Sequence, residues 1–501
     1  MEERSPSSGP PPAEGPVPAP WGELSHSQFD RAIASNAGWL FLAQLVALLA
    51  GMAVVVCVSR LLGAESLGQW RFAQAVAAYV LVIGDGGLGS LAAREIARNR
   101  AWLQSHASAV IILRTGFATL LLLVVTLVAF WAGVQAGMIA VLVLAGLTAV
   151  ANSASAAPLL QGLELIGPTS RLRVATQTAA GLVAVALAVS TGSLVLVVVP
   201  LAVAPAIVAV VTLRWAAEQG AFGGPIAMAT LAGPLIRAAW RFLVTAIAIQ
   251  LLFNADALIL QLTRGSEELG LYAAPYALAS YLMIVGASVT QAAYPRIASR
   301  AGNKAAPGLL VEILGLMGLL GVPLAIGGIA LSDQLVVLLF GPAYAAEGPI
   351  LSLLLAFAAL GFFNLTMGQA AMASGREHDA MLVAVVSAIL NVGMNLVLIP
   401  LFGRAGAAWA VVASECSSVF LYCLYSRAPG WQSLVGNYAS AVPAALLMGG
   451  VVIGARAAGL PVIPNIALGA TTYLLINVAR PSPGMRIILS LVRNGAAQWQ
   501  R

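Results

Sequence analysis

Five ionisable side chains stand inside otherwise apolar stretches of this 501-residue chain: Asp85, Arg114, Asp256, Glu312 and Glu415. A charge in hydrocarbon is costly unless water, a partner or a ligand meets it, so each is a candidate for function. Arg114 offers a guanidinium fork that matches phosphate oxygens. It also lies close enough to a predicted helix end to snorkel toward headgroups. Asp256 and Glu415 suit a coupling site for H+ or Na+. Each can instead hydrogen-bond a neighbouring helix, Glu415 within the polar seam "SECSS". Asp85, in "GDGGLGS", fits a glycine-softened helix end or a pair with Arg94, and Glu312 falls near a surface.

Uncharged and flanking residues extend this set. Gln250 and Asn254 are four apart and share a helical face, with Asp256 about 200° on from Asn254 at ~3.6 residues per turn. Asn391 and Asn395 likewise share a face and either line a cavity or join two helices. Arg60 and Arg71 flank the short island "LGAESLGQW", where they meet a departing phosphate or are simply solvated.

Catalytic and metal signatures find no support. There is no D-x-D, H-E-x-x-H or Lys-bearing phosphate loop, and His26, His106 and His378 are dispersed, so an enzyme, a cofactor and a metal site are not expected. Cys57, Cys416 and Cys423 fall in apolar stretches and imply no disulfide framework. The net charge of +6 is spread in ones to threes, too thin for nucleic acid.

The elements carrying these residues are membrane helices. The chain is 60% hydrophobic and 9% charged, with a mean hydropathy of +0.93. Apolar runs recur near the ~20 residues that cross a hydrocarbon core. They predict an all-α polytopic protein with about fourteen spans, at 37–59, 71–93, 107–132, 138–160, 174–190, 193–213, 241–262, 271–293, 308–331, 350–373, 380–400, 405–425, 436–455 and 460–479. A Pro-rich, disordered cytoplasmic tail is expected over residues 1–30. With the N-terminus inside, nineteen of the 25 basic residues fall on the cytoplasmic side and five outside, with Arg114 within a span. Both termini are therefore expected in the cytoplasm.

A repeat organises the spans. At an offset of 202 residues, Gly63/Gly265, Glu65/Glu267, Leu67/Leu269, Gly68/Gly270, Ala75/Ala277, Ala77/Ala279, Tyr79/Tyr281 and Gly84/Gly286 are identical pairs. The offset spans six helices, so the copies run in the same direction. Two parallel six-helix bundles, 31–214 and 241–425, are expected, joined by an interfacial linker over 215–240 and followed by an extra helix pair and tail in 426–501.

The order of motifs resembles a known family. "SRLLGAESLGQWRFAQAVAAYVLVIGDGGLGSLAAREIAR" (Ser59 to Arg98) is similar to the start of Wzx-type polysaccharide flippases of the multidrug/oligosaccharidyl-lipid/polysaccharide (MOP) exporter superfamily. "NADALILQLTRGSEELGLYAAPYALA", "LFGPAYAAEGPILSLL" and "NVGMNLVLIPLFGRAGAAWA" resemble its later helices in the same order. The resemblance implies a MATE-like fold and alternating access in a bacterial cytoplasmic (inner) membrane. The cargo it implies is an undecaprenyl-pyrophosphate-linked glycan, with polysaccharide polymerase or assembly proteins as partners. It also implies a cationic central cavity, a feature for which this chain supplies only Arg114 inside a span. The rival reading is a cation-coupled small-molecule or drug antiporter of the same superfamily.

Overall fold

A computed structural model describes residues 45–223, 228–299, 306–425 and 430–489. The N-terminal tail and the first eight residues of the first predicted span lie outside the described residues, as do 224–227 of the predicted linker.

Helix α1 (45–57) passes through a π-helical turn, Val58–Leu62, into α2 (Gly63–Asp85). There follow α3 (Leu88–Arg98), α4 (Ala101–Trp131), α5 (Ala136–Ala154), α6 (Ala157–Gly162), α7 (Ile166–Thr191) and α8 (Leu194–Glu218). The chain continues through α9 (Met228–Arg264), α10 (Ser266–Ser299), α11 (Ala306–Phe340) and a 3-10 turn, Pro342–Glu347. It closes with α12 (Gly348–Ala373), α13 (Glu377–Phe402), α14 (Arg404–Tyr425), α15 (Trp431–Ala439), α16 (Val442–Ala457) and α17 (Val462–Ala479). No strand occurs among the described residues.

Thirteen of these helical stretches are long and apolar enough to cross a membrane, and the protein is a multi-pass membrane protein. The difference from fourteen arises at the first two predicted spans, which fall on one helical stretch, Leu45–Asp85, of 41 residues. At ~1.5 Å per residue that is about twice a hydrocarbon core. Gly63 breaks it with φ 84° and ψ 178°, a conformation closed to most L residues. Gly265, its repeat partner, holds φ 89° between α9 and α10. Large apolar side chains such as Leu127, Leu182, Val210, Leu396 and Leu475 face outward, as lipid-facing helices require.

One packing pattern occurs twice. Helix α5 packs on α2, α4 and α8, while α7 packs on α8. In the same way α12 packs on α10, α11 and α14, while α13 packs on α14. Helices α2 and α10, which carry the repeated islands, pack on each other. Around them a core of Val58, Leu67, Trp70, Ala273, Phe340 and Tyr344 joins the two parts of the chain. Amphipathic α3 buries Leu88, Leu91 and Ile96, while Arg94 and Arg98 remain exposed beside Glu95. Asp333 pairs with Arg456 at 3.0 Å and ties α11 to α16.

Candidate functional site: a helix interface and the cavity beside it

The islands are not loops. Only Gly63 and Gly265 make the turns; the residues after them form the first two turns of α2 and α10. There Gly68 and Gly270 meet face to face. A Cβ on Gly68 would overlap the Ser266 carbonyl oxygen, and one on Gly270 would overlap that of Ala64. The repeated glycine is thus the point at which two backbones touch.

Arg71 is consequently not at a loop edge, as its sequence position suggested, but two turns inside α2. Its Nη1 donates to Asn254 Oδ1 (2.8 Å) and its Nη2 to the Phe253 carbonyl (3.2 Å). The guanidinium lies 5.3 Å from the ring centre of Tyr276. Beneath it Asp256 is 1% exposed. Its Oδ2 accepts from the Tyr272 hydroxyl (2.7 Å) and its Oδ1 from the Ala257 N–H (2.8 Å). Arg71, Asn254 and Asp256 therefore share one cluster across α2, α9 and α10. Gln250 lies one turn earlier on α9 and accepts at its carbonyl from Tyr79 (3.4 Å). Arg60 donates to the Leu339 carbonyl (2.8 Å), and also to those of Leu338 and Val337, closing the C-terminal end of α11.

Arg114 does not snorkel. It is 3% exposed, more than three turns into α4, and its Nε donates to Asp85 Oδ1 at 2.5 Å. Its remaining donors reach the carbonyls of Ser155 (3.0 Å) and Asn152 (3.4 Å). Asp85 thus pairs with Arg114 rather than Arg94, and its Oδ2 accepts the Gly89 N–H (3.2 Å). Arg94 pairs with Glu95 instead. Glu312 is exposed.

Glu415, Asn391 and Asn395 belong to a second polar seam among α12, α13 and α14. Glu415 is 6% exposed, and Asn364 Nδ2 donates to its carboxylate and to its carbonyl (3.0 Å). Asn391 donates to Ser414 (3.1 Å) and Asn395 to Asn391 (2.9 Å). The Ser387 and Ser418 hydroxyls stand 2.6 Å apart. The Oδ1 atoms of Asn364 and Asn395 have no partner among the described residues.

A cavity of about 480 Å³ opens between α1, α2, α5, α7, α8 and α10. Its polar lining is Trp70, Gln74, Thr148, Asn152, Gln177 and Tyr281, and no charged side chain among the described residues lines it. Sequence reasoning missed these residues because a neutral amide inside a span is not conspicuous. It also missed Glu347, 1% exposed, which binds Arg404 at 2.9 Å while Arg404 also pairs with Glu268. No group of three or more His, Cys, Asp or Glu that could hold a metal occurs among the described residues.

The fold is similar to that of solved transporters of the MOP superfamily. The structure of the lipid II flippase MurJ in an inward closed conformation superposes with a TM-score of 0.69 at 13% identity, over 87% of this chain and 97% of that one. An inward-facing multidrug resistance MATE transporter gives 0.53 at 17% identity, over 78% and 96%. A MOP transporter from Pyrococcus furiosus, described as having a binding pocket of reversed polarity, gives 0.51 at 14%, over 81% and 96%. Residues 33–300 match the family described as Polysaccharide biosynthesis protein, and the chain belongs to that family. No curated protein sequence matches it significantly.

Proposed function

We propose that this chain translocates a polyprenyl-pyrophosphate-linked oligosaccharide across the bacterial cytoplasmic membrane by alternating access, without catalysing a reaction. The moving bodies are two six-helix halves, 31–214 and 241–425, and the Leu45–Asp85 stretch counts as two crossings. Both termini then face the cytoplasm, and the turns at Gly63 and Gly265 face outward. One observation carries this reading. Helices α2 and α10 touch at Gly68 and Gly270 and Arg60 caps α11, which joins the two halves, while a cavity opens within the first half, among α1, α2, α5, α7 and α8, with Tyr281 and Ile284 of α10 at its edge. Membership of the polysaccharide biosynthesis family and the likeness to a lipid II flippase support a lipid-linked cargo.

Asp256 and Glu415 are the candidates for coupling to H+ or Na+, with Asn391 and Asn395 beside Glu415. A polymerase or other assembly protein is the expected downstream partner. Among the described residues the cavity is lined by neutral amides, hydroxyls and aromatic rings, which favours a glycan over an organic cation as its cargo. Reconstitution into liposomes tests the assignment. A labelled undecaprenyl-pyrophosphate oligosaccharide should lose accessibility at one leaflet only when the protein is present. A folded preparation that moves organic cations and leaves the label accessible would overturn it.

A further inference from the structure

Repeat symmetry gives the cavity a counterpart. At the offset that pairs Gly68 with Gly270, Val54 corresponds to Asp256, Trp70 to Tyr272 and Gln74 to Tyr276. The cleft holding Asp256, Tyr272 and Tyr276 is filled, with the carboxylate bonded and the rings 5.4 Å apart between centres. Val54, Trp70 and Gln74 instead line the open cavity. One architectural cleft therefore occurs twice, once packed around an acid and once left open and uncharged.

The open cleft has unused hydrogen-bonding capacity. Gln74 and Gln177 are exposed to it, and neither side chain has a hydrogen-bond partner among the described residues. Asn152 spends its Nδ2 on the Thr148 carbonyl (2.8 Å), which leaves its Oδ1 for a ligand. Arg114, which bonds the Asn152 carbonyl from behind the cavity wall, has its guanidinium engaged by Asp85 and two backbone carbonyls. Amides offer a donor and an acceptor side by side, the complement of a sugar hydroxyl, which is both. Trp70 and Tyr281 add aromatic surface with a polar edge, and Gly51, Ala77, Ala78, Ala149 and Gly181 leave the room. A carboxylate entering this space loses its water and gains no cation from the described lining residues, an uncompensated cost.

Resting on the flippase reading, we infer that this cleft seats the glycan head group and selects an uncharged, polyhydroxylated sugar over an acidic one. Arg173 stands four residues before Gln177 on the same face of α7 and is exposed. The linking phosphates then meet a cation at the rim, outside the selective space.

Two probes test this in proteoliposomes: undecaprenyl-pyrophosphate oligosaccharides identical except that one sugar is a neutral hexose or the corresponding hexuronic acid. The wild-type protein should move the neutral probe at least about tenfold faster. Gln74→Ala and Gln177→Ala should each slow it roughly tenfold, the worth of about one hydrogen bond. Their melting in detergent should be unchanged, since neither side chain holds another. Gln177→Arg should raise transport of the acidic probe relative to the neutral one. Equal rates for both probes in the wild type, or variants that leave the preference intact, would overturn the inference while the flippase reading stands. Movement of neither probe by a folded preparation would remove both.

Discussion

Arg114 shows what an intramembrane charge means once its neighbours are known. From position alone it could hold a phosphate or snorkel; in the fold it is sealed against Asp85 and two carbonyls. Arg114→Ala should therefore act on folding first. It strips three acceptors of their donor and should cost about 1–3 kcal/mol, less than for a fully enclosed pair because Asp85 keeps some contact with solvent. Thermal unfolding in detergent measures it, and an unchanged melting temperature with slowed translocation would restore Arg114 to cargo contact. Arg71 has the opposite character. Its fork joins Asn254 and the Phe253 carbonyl across two halves of the chain and also stacks on Tyr276. Arg71→Lys keeps the charge but loses the fork and the stacking. It should leave the fold intact and raise labelling, by an impermeant thiol reagent, of a cysteine introduced near the Gly63 turn; unchanged labelling would contradict a cross-half role. The sequence made these ions conspicuous because charge is rare in an apolar chain. It did not supply their partners, since Asp85 and Asn254 are set opposite their arginines by helix packing rather than by spacing.

At the scale of elements, the glycines of the islands decide where helices stop and where they touch. Spans were legible from apolarity, and the repeat from the Gly-Glu-Leu-Gly spacing. Helix starts were not, because polar residues after Gly63 and Gly265 look like loop. Their Glu65, Glu267 and Glu268 instead occupy first turns, where negative charge suits the helix dipole. Gly68→Leu should force α2 and α10 apart at their outer ends, since even a Cβ there overlaps the Ser266 backbone. The expected result is a folded protein with raised outward accessibility and little translocation; normal transport by Gly68→Leu would show that the close approach is dispensable. Arg60→Ala should loosen the end of α11 and cost about 0.3–1 kcal/mol, typical of a cation at an exposed helix C-terminus. Hydrogen exchange at Val337 to Phe340 reads this out, and unchanged protection would argue against the capping role.

For the whole molecule, composition alone dictated an all-helical membrane protein, and the order of motifs pointed to the family that residues 33–300 match. The cavity was not legible. It is lined from six helices by small and neutral side chains whose individual identities are unremarkable in such a chain. Only the assembled packing distinguishes that open cleft from its filled repeat partner around Asp256. The central claim is that the halves must separate at the α2–α10 crossing for cargo to leave. The most direct test places cysteines at Ala64 and Ser266, which flank that crossing, after replacing Cys57, Cys416 and Cys423 by alanine. Translocation of a labelled undecaprenyl-pyrophosphate oligosaccharide is then followed in proteoliposomes before and after oxidation. The account predicts that closing the disulfide stops translocation and that reduction restores it. Transport at the full rate with the disulfide closed would contradict it.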